Sequence, residues 1–162
     1  MPGKPPGVHT ITPHITVKNA AKAIDFYKAA FGAQELGRSP TPDGRLMHAA
    51  LKIGDSTLML NDEFPEMGGA PGPTGGKQPF ALHVYWDDVD KAWDQAVKAG
   101  AKVTMPLSNM FWGDRYGHLE DPFGFTWAMA TRVEDVSPEE ADRRGKEMFS
   151  KFRAMDHETV KK

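Results

Sequence analysis

A chain of 162 residues, 40% hydrophobic and 26% charged, has room for one domain or for two small halves sharing a core. Its formal net charge of -2 gathers neither nucleic acid nor an anionic membrane, and the absence of cysteine removes disulfides and thiolate chemistry. No apolar run approaches the ~20 residues of a membrane span, and the start MPGKPPGVHT has no apolar signal core, so a cytoplasmic protein is expected.

Residues 1–8 read as a flexible Pro/Gly arm. A strand-like run, Ile11 to Val17, leads into a helix from Ala20 to Phe31, with Asn19 as N-cap and Gly32 as stop. Ala20, Ala23, Ile24, Tyr27 and Phe31 fall on one face of that helix. Three strand candidates follow: Gln34 to Ser39, Leu46 to Ile53 and Ser56 to Asn61, separated by Pro42-Asp43-Gly44 and Gly54-Asp55 turns. Between Phe64 and Pro79 nine of sixteen residues are Gly or Pro, which suits a linker or flap and no regular element.

The pattern then returns. Phe80 to Trp86 leads into a helix from Val89 to Ala99, between Asp88 and Gly100, followed by strands at Lys102 to Met105, Tyr116 to Glu120 and Phe125 to Thr131. Ser137-Pro138-Glu139-Glu140 opens a last helix that runs to about Ala154, with Met148, Phe149 and Phe152 as its apolar face. A shift of 69 positions lays His14 on His83, Lys22 on Lys91 and Asp25 on Asp94; a shift of 70 lays Arg45 on Arg115, His48 on His118, Gly54 on Gly124 and Met59 on Met129. The order of these matches points to a duplication. The expected organisation is an arm (1–8), a first βαβββ unit (9–63), a linker (64–79), a second unit (80–133), and a C-terminal helix and tail (134–162).

Two βαβββ units in tandem, with an Asp121-Pro122-Phe123-Gly124 turn before the last strand, resemble the vicinal oxygen chelate superfamily of glyoxalases, bleomycin resistance proteins and dioxygenases. Phe111-Trp112-Gly113-Asp114-Arg115-Tyr116-Gly117 and Ala23-Ile24-Asp25-Phe26-Tyr27 resemble its PhnB-like branch. The resemblance implies an α+β fold whose half-barrel sheets surround a cleft, commonly completed in a homodimer. It also implies a divalent cation held by His, Glu or Gln on the first and last strands of each unit. The positions carried over are Thr12, Ala81, Ala128 and either Leu58 or Met59, none of which ligates such a cation. No cofactor is therefore expected, with a metal at a shifted His14 and His83 pair as the lesser alternative.

Strand alternation puts Thr12, His14 and Thr16 on one face, and Ala81, His83 and Tyr85 on the matching face. If these faces line the cleft, His14, His83 and Tyr85 are ligand-binding candidates, and the two histidines are acid/base candidates. Unpaired imidazoles would cost about 1–3 kcal/mol each against the apolar helices, which favours the same face. Trp112, Arg115 and Tyr116 form a second group, in which a guanidinium beside aromatic faces suits a planar anion. The structural alternative pairs Asp114 with Arg115 and puts Trp112 in the core. His48 and His118 read as turn or surface residues. No Gly-x-Ser-x-Gly motif and no phosphate-loop or dinucleotide signature occurs. The expected function is small-molecule binding without the usual metal; the alternative is a lyase, isomerase or dioxygenase-type enzyme centred on His14 and His83. The expected partners are a small ligand and a second copy of the chain, with no nucleic acid and no membrane.

Overall fold

The computed structural model describes residues 3–5, 7–75 and 78–159, with side chains described as far as Phe152. Parts of the expected arm (1, 2 and 6), parts of the linker (76 and 77) and the last three residues lie outside the described residues. The chain runs β1 (His14–Val17), α1 (Ala20–Phe31), β2 (Gln34–Pro40), β3 (Leu46–Ile53) and β4 (Ser56–Asp62). It then repeats as β5 (Leu82–Tyr85), α2 (Val89–Ala99), β6 (Lys102–Asn109), β7 (Asp114–Glu120) and β8 (Thr126–Arg132), and ends in α3 (Pro138–Thr159). The strands form two four-stranded sheets, ordered β1-β4-β3-β2 and β5-β8-β7-β6.

Local chemistry sets the boundaries. The Asn19 side chain accepts from Lys22 N at 3.0 Å and Asp88 from Lys91 N at 3.0 Å, each covering a helix-start N–H that has no intrahelical acceptor. Gly32 and Gly100 close α1 and α2 with φ of 62° and 115°, a conformation costly for any residue with a Cβ. β1 begins at His14, later than Ile11: Pro13 has no N–H for the ladder, although its carbonyl accepts from Met59 N at 2.9 Å. β6 runs beyond the expected Met105, because register shifts on either side of that residue absorb Pro106 at the sheet edge.

Each sheet buries one face against its helix. Ile15, Val17, Ala49, Leu51, Leu58 and Leu60 are buried with Ala23, Ile24 and Tyr27 of α1 in one core. The halves join inside that core: the Phe31 and Trp127 ring centroids lie 4.3 Å apart, and the Tyr27 hydroxyl donates to Asp121 Oδ2 at 2.8 Å. Asp121 Oδ2 also accepts from Trp127 Nε1 at 2.9 Å, while its Oδ1 accepts from Phe123 N and Phe125 N at 2.9 Å. The Asp-Pro-Phe-Gly turn is thus a buried tie between halves.

The pairing register corrects the internal alignment. His14 pairs with Met59 and His83 with Ala128, so the 69-residue shift extends to β4 and Met59 corresponds to Ala128, not to the core residue Met129. α1 has 12 residues and α2 has 11, which lowers the shift after the helices where the sequence matches suggested a rise. His48 then corresponds to Tyr116, and Arg45 has no counterpart in Arg115. The expected linker contains a short 3-10 turn, Pro65–Met67. The Arg45 guanidinium lies over the Phe64 ring at 4.3 Å and donates to Glu66 at 2.5 Å. Gly72 N donates to Glu63 Oε1 at 2.7 Å, and Thr57 Oγ1 donates to the Gly7 carbonyl at 2.9 Å, so both the flap and the arm have anchors. Among the described residues no helix is long and apolar enough to cross a membrane.

Candidate functional site

Alternation along β7 decides what each side of the second sheet presents. Leu119 is fully buried on the helix side, and Gly117 beside it leaves room for Trp93 of α2; a Cβ there would stand 2.8 Å from the indole. Asp114, Tyr116 and His118 therefore point to the opposite, open face. Register adds two rows to that face: His83, Ala128 and His118 in one, Tyr85, Ala130 and Tyr116 in the next. The alanines on the intervening strand leave space for the rings on either side to meet.

Those rings form one contiguous group. His83 stacks on Tyr85 with centroids 4.8 Å apart and lies 5.5 Å from Tyr116. Trp112 meets Tyr116 edge-on at 5.5 Å, and Tyr116 meets His118 at 5.1 Å. The Tyr116 hydroxyl is 2.6 Å from His118 Nε2. At the other end, the Tyr85 hydroxyl and Trp112 Nε1 donate to Asp114 Oδ2 at 2.8 and 3.1 Å. Asp114 is 2% exposed; its Oδ1 has no hydrogen-bond donor among the described residues and pairs loosely with Arg132 Nε at 3.7 Å. Tyr85, by contrast, is 62% exposed.

The electrostatics follow from this packing. The hydrogen bond to Asp114 is the main cause of a raised Tyr85 pKa, because losing the phenol proton would set two anions together. Burial raises the Tyr116 pKa. Burial, with a smaller contribution from the neighbouring His83, lowers the His118 pKa and favours its neutral imidazole.

The sequence-predicted candidates divide. His83, Tyr85, Trp112 and Tyr116 come together. His14 sits on the first sheet, with its ring 5.6 Å from His48. Arg115 lies apart on the helix side, donating through Nε and Nη2 to Asp90 at 2.7 and 2.6 Å. It does not join Trp112 and Tyr116, and the Asp114–Arg115 pair of the structural alternative does not form either, because adjacent strand residues point to opposite faces. Asp114 and His118 belong to the group and were missed as site residues; their two-residue spacing around Tyr116 was the available signal.

A cleft of about 900 Å³ runs along the outer edge of β5, reaching His83 and Tyr85, the Gly54-Asp55 turn, and His9, Ile11 and Pro13 of the chain before β1. His14, Trp112, Arg115 and Tyr116 do not line it. The open faces of the two sheets do not cover each other within one chain, since His14, His83 and Tyr85 are all exposed. The family's metal positions are filled by Thr12, Ala81, Met59 and Ala128, and Thr12 Oγ1 donates to the His9 carbonyl at 2.9 Å. Those residues do not fit a cation. Among the described residues no three His, Asp or Glu side chains converge as a metal site.

Comparison with known proteins agrees with this architecture. The family model of the Glyoxalase/Bleomycin resistance protein/Dioxygenase superfamily matches residues 7–129. An uncharacterised protein of Mycobacterium tuberculosis is 47% identical over 133 residues, spanning 80% of this chain and 78% of its own length. Among solved structures, TioX from Micromonospora sp. ML1 superposes with a TM-score of 0.60 at 22% identity, covering 77% of this chain and 99% of TioX. A PhnB protein from Bacillus cereus does so with a TM-score of 0.60 at 18% identity, covering 76% of this chain and 99% of that protein. With two βαβββ units in the expected topology and the family model covering both, the chain belongs to the glyoxalase/bleomycin resistance protein/dioxygenase superfamily.

Proposed function

We propose that this chain binds a small molecule against the open face of its second sheet, without the metal site usual in the superfamily. The observation that carries the reading is the contiguous ring group His83, Tyr85, Trp112, Tyr116 and His118 on the face of the second sheet away from α2. Aromatic surface with a few fixed polar groups is the usual make-up of a ligand wall. Tyr85 and His83 also border the cleft along β5, so one ligand can touch both. A thermal-shift screen of small molecules tests the reading, because a ligand that binds only the folded chain raises its melting temperature. Stabilising compounds are expected, and their effect should vanish in Tyr116→Ala; stabilisation that survives this change speaks against the site.

The wall is one-sided in a single chain, and a second copy supplies the other side. The exposed Phe149 and Phe152 of α3 (62% and 58%) give such an assembly apolar area to bury, and twofold pairing is the commonest solution for soluble oligomers. Light scattering should report twice the 17.9 kDa chain mass; a monomer mass at all concentrations removes the dimer.

The short Tyr116–His118 contact favours one further reading, acid/base chemistry of the lyase, isomerase or dioxygenase type. Its centre would be His83, Tyr116 and His118, since His14 lies on the other sheet. Product formation from a bound compound, lost in His118→Gln while binding persists, is its test.

A further inference from the structure

We infer that the ligand taken by this open face is an organic cation carried on a planar ring, such as an N-alkylated or protonated heteroaromatic. This rests on the small-molecule reading above and narrows it. Tyr85 and Trp112 both commit their single side-chain donor to Asp114 Oδ2, at 2.8 and 3.1 Å. Tyr116 and His118 are committed to each other at 2.6 Å. The wall therefore turns mainly ring faces toward a ligand; the hydrogens left to meet an anion are an imidazole N–H of His83 and the one that the Tyr116–His118 pair does not use. Ring faces carry the negative part of the aromatic quadrupole, so they attract cations and repel anions.

Asp114 adds an independent indication. Its carboxylate is 2% exposed, yet Oδ1 receives no hydrogen bond from the described residues. The nearest cation is Arg132, whose Nε stays 3.7 Å away on a side chain that is 55% exposed. One oxygen of this buried carboxylate holds both ring donors and the other is paired only loosely with the exposed Arg132, which leaves a partly screened negative field behind Tyr85 and Trp112. A cation seated on those rings adds to the countercharge that Arg132 supplies. An anion would meet the same field with the wrong sign, and a neutral ring would gain only stacking.

Three ring-matched probes separate these cases in calorimetric titrations of the full chain at pH 7.5: 1-methylquinolinium, quinoline and 1-naphthoate. The cation should bind about tenfold tighter than quinoline, the difference expected for a partly desolvated cation–π contact, and naphthoate should give no measurable heat. Asp114→Asn should bring the cation down to the affinity that quinoline shows for the same variant. Asp114 is buried, so Tyr85→Leu at an exposed position serves as a second variant and should weaken both ring ligands. Quinoline or naphthoate binding as tightly as the cation overturns the charge preference and leaves the small-molecule site standing. Cation binding indifferent to both substitutions overturns the assignment to this wall. Binding of none of the three overturns the inference and counts against the open face as a ligand wall.

Discussion

The Tyr27 hydroxyl donates to Asp121 Oδ2 at 2.8 Å, tying α1 of the first half to the turn between β7 and β8 of the second. Both groups are buried, and Asp121 is otherwise served by Trp127 and two backbone N–H groups. Tyr27→Phe removes one donor from a buried carboxylate and should cost about 1–2 kcal/mol in denaturant unfolding. An unchanged midpoint would mean that the tie contributes nothing. Burial, with the Asp121 charge second, holds the Tyr27 pKa well above that of a free phenol. Its contribution is therefore fully present below the unfolded tyrosine pKa of about 10 and is lost as pH rises further, so wild type should be more alkali-sensitive than Tyr27→Phe.

Gly117 tests the other packing constraint. Its missing Cβ is the space that Trp93 of α2 fills, and Gly117→Ala should destabilise by about 1–3 kcal/mol through overpacking. Thermal unfolding measures it. A neutral result would mean that α2 moves away from β7 at little cost.

His118 gives a pH signature. Burial lowers its folded pKa below the ordinary 6.5, so its contribution is present above the unfolded pKa and is lost as pH falls through the folded one. An imidazole NMR titration should place its midpoint below 6.5, with stability declining on the acid side of that value. A midpoint above 6.5 would contradict the packing of His118 beneath Tyr116.

Much of the fold was legible because its cues are local. Asn19, Gly32, Asp88 and Gly100 each end a helix by their own chemistry, and period-two alternation placed His14 and His83 away from the helices. What escaped was register. Matching types at a constant spacing paired His48 with His118 and Met59 with Met129, whereas hydrogen-bonded pairing depends on loop lengths that no single residue reports. The same limit hid Asp114 and His118: His118 joins the ring group because Ala128 sits between it and His83, and Asp114 because the Tyr85 hydroxyl reaches it from β5. Arg115 was drawn in by its aromatic neighbours in the chain, although alternation turns it toward Asp90.

Arg115→Ala follows from that correction. An exposed ion pair with Asp90 contributes less than about 1 kcal/mol, so stability should change little. Ligand affinity should change less than about twofold, which the calorimetric titrations can resolve. A tenfold loss would return Arg115 to the site.

Metal content is a separate check. Thr12, Ala81, Met59 and Ala128 offer no ligands where the superfamily uses them, so elemental analysis of purified protein should find less than about one equivalent of zinc, nickel, manganese or iron per pair of chains. A stoichiometric metal lost in His14→Ala or His83→Ala would contradict a metal-free site.

The central claim is where a ligand sits, and fluorine NMR of 5-fluorotryptophan-labelled protein tests it most directly. Trp112 stands in the ring group, Trp86 and the buried Trp127 border the β5 cleft, and Trp93 is buried in the core. On titration with a stabilising ligand the Trp112 line should shift, with Trp93 unmoved. A shift of the Trp86 or Trp127 line with Trp112 silent would put the ligand in the β5 cleft and contradict the account.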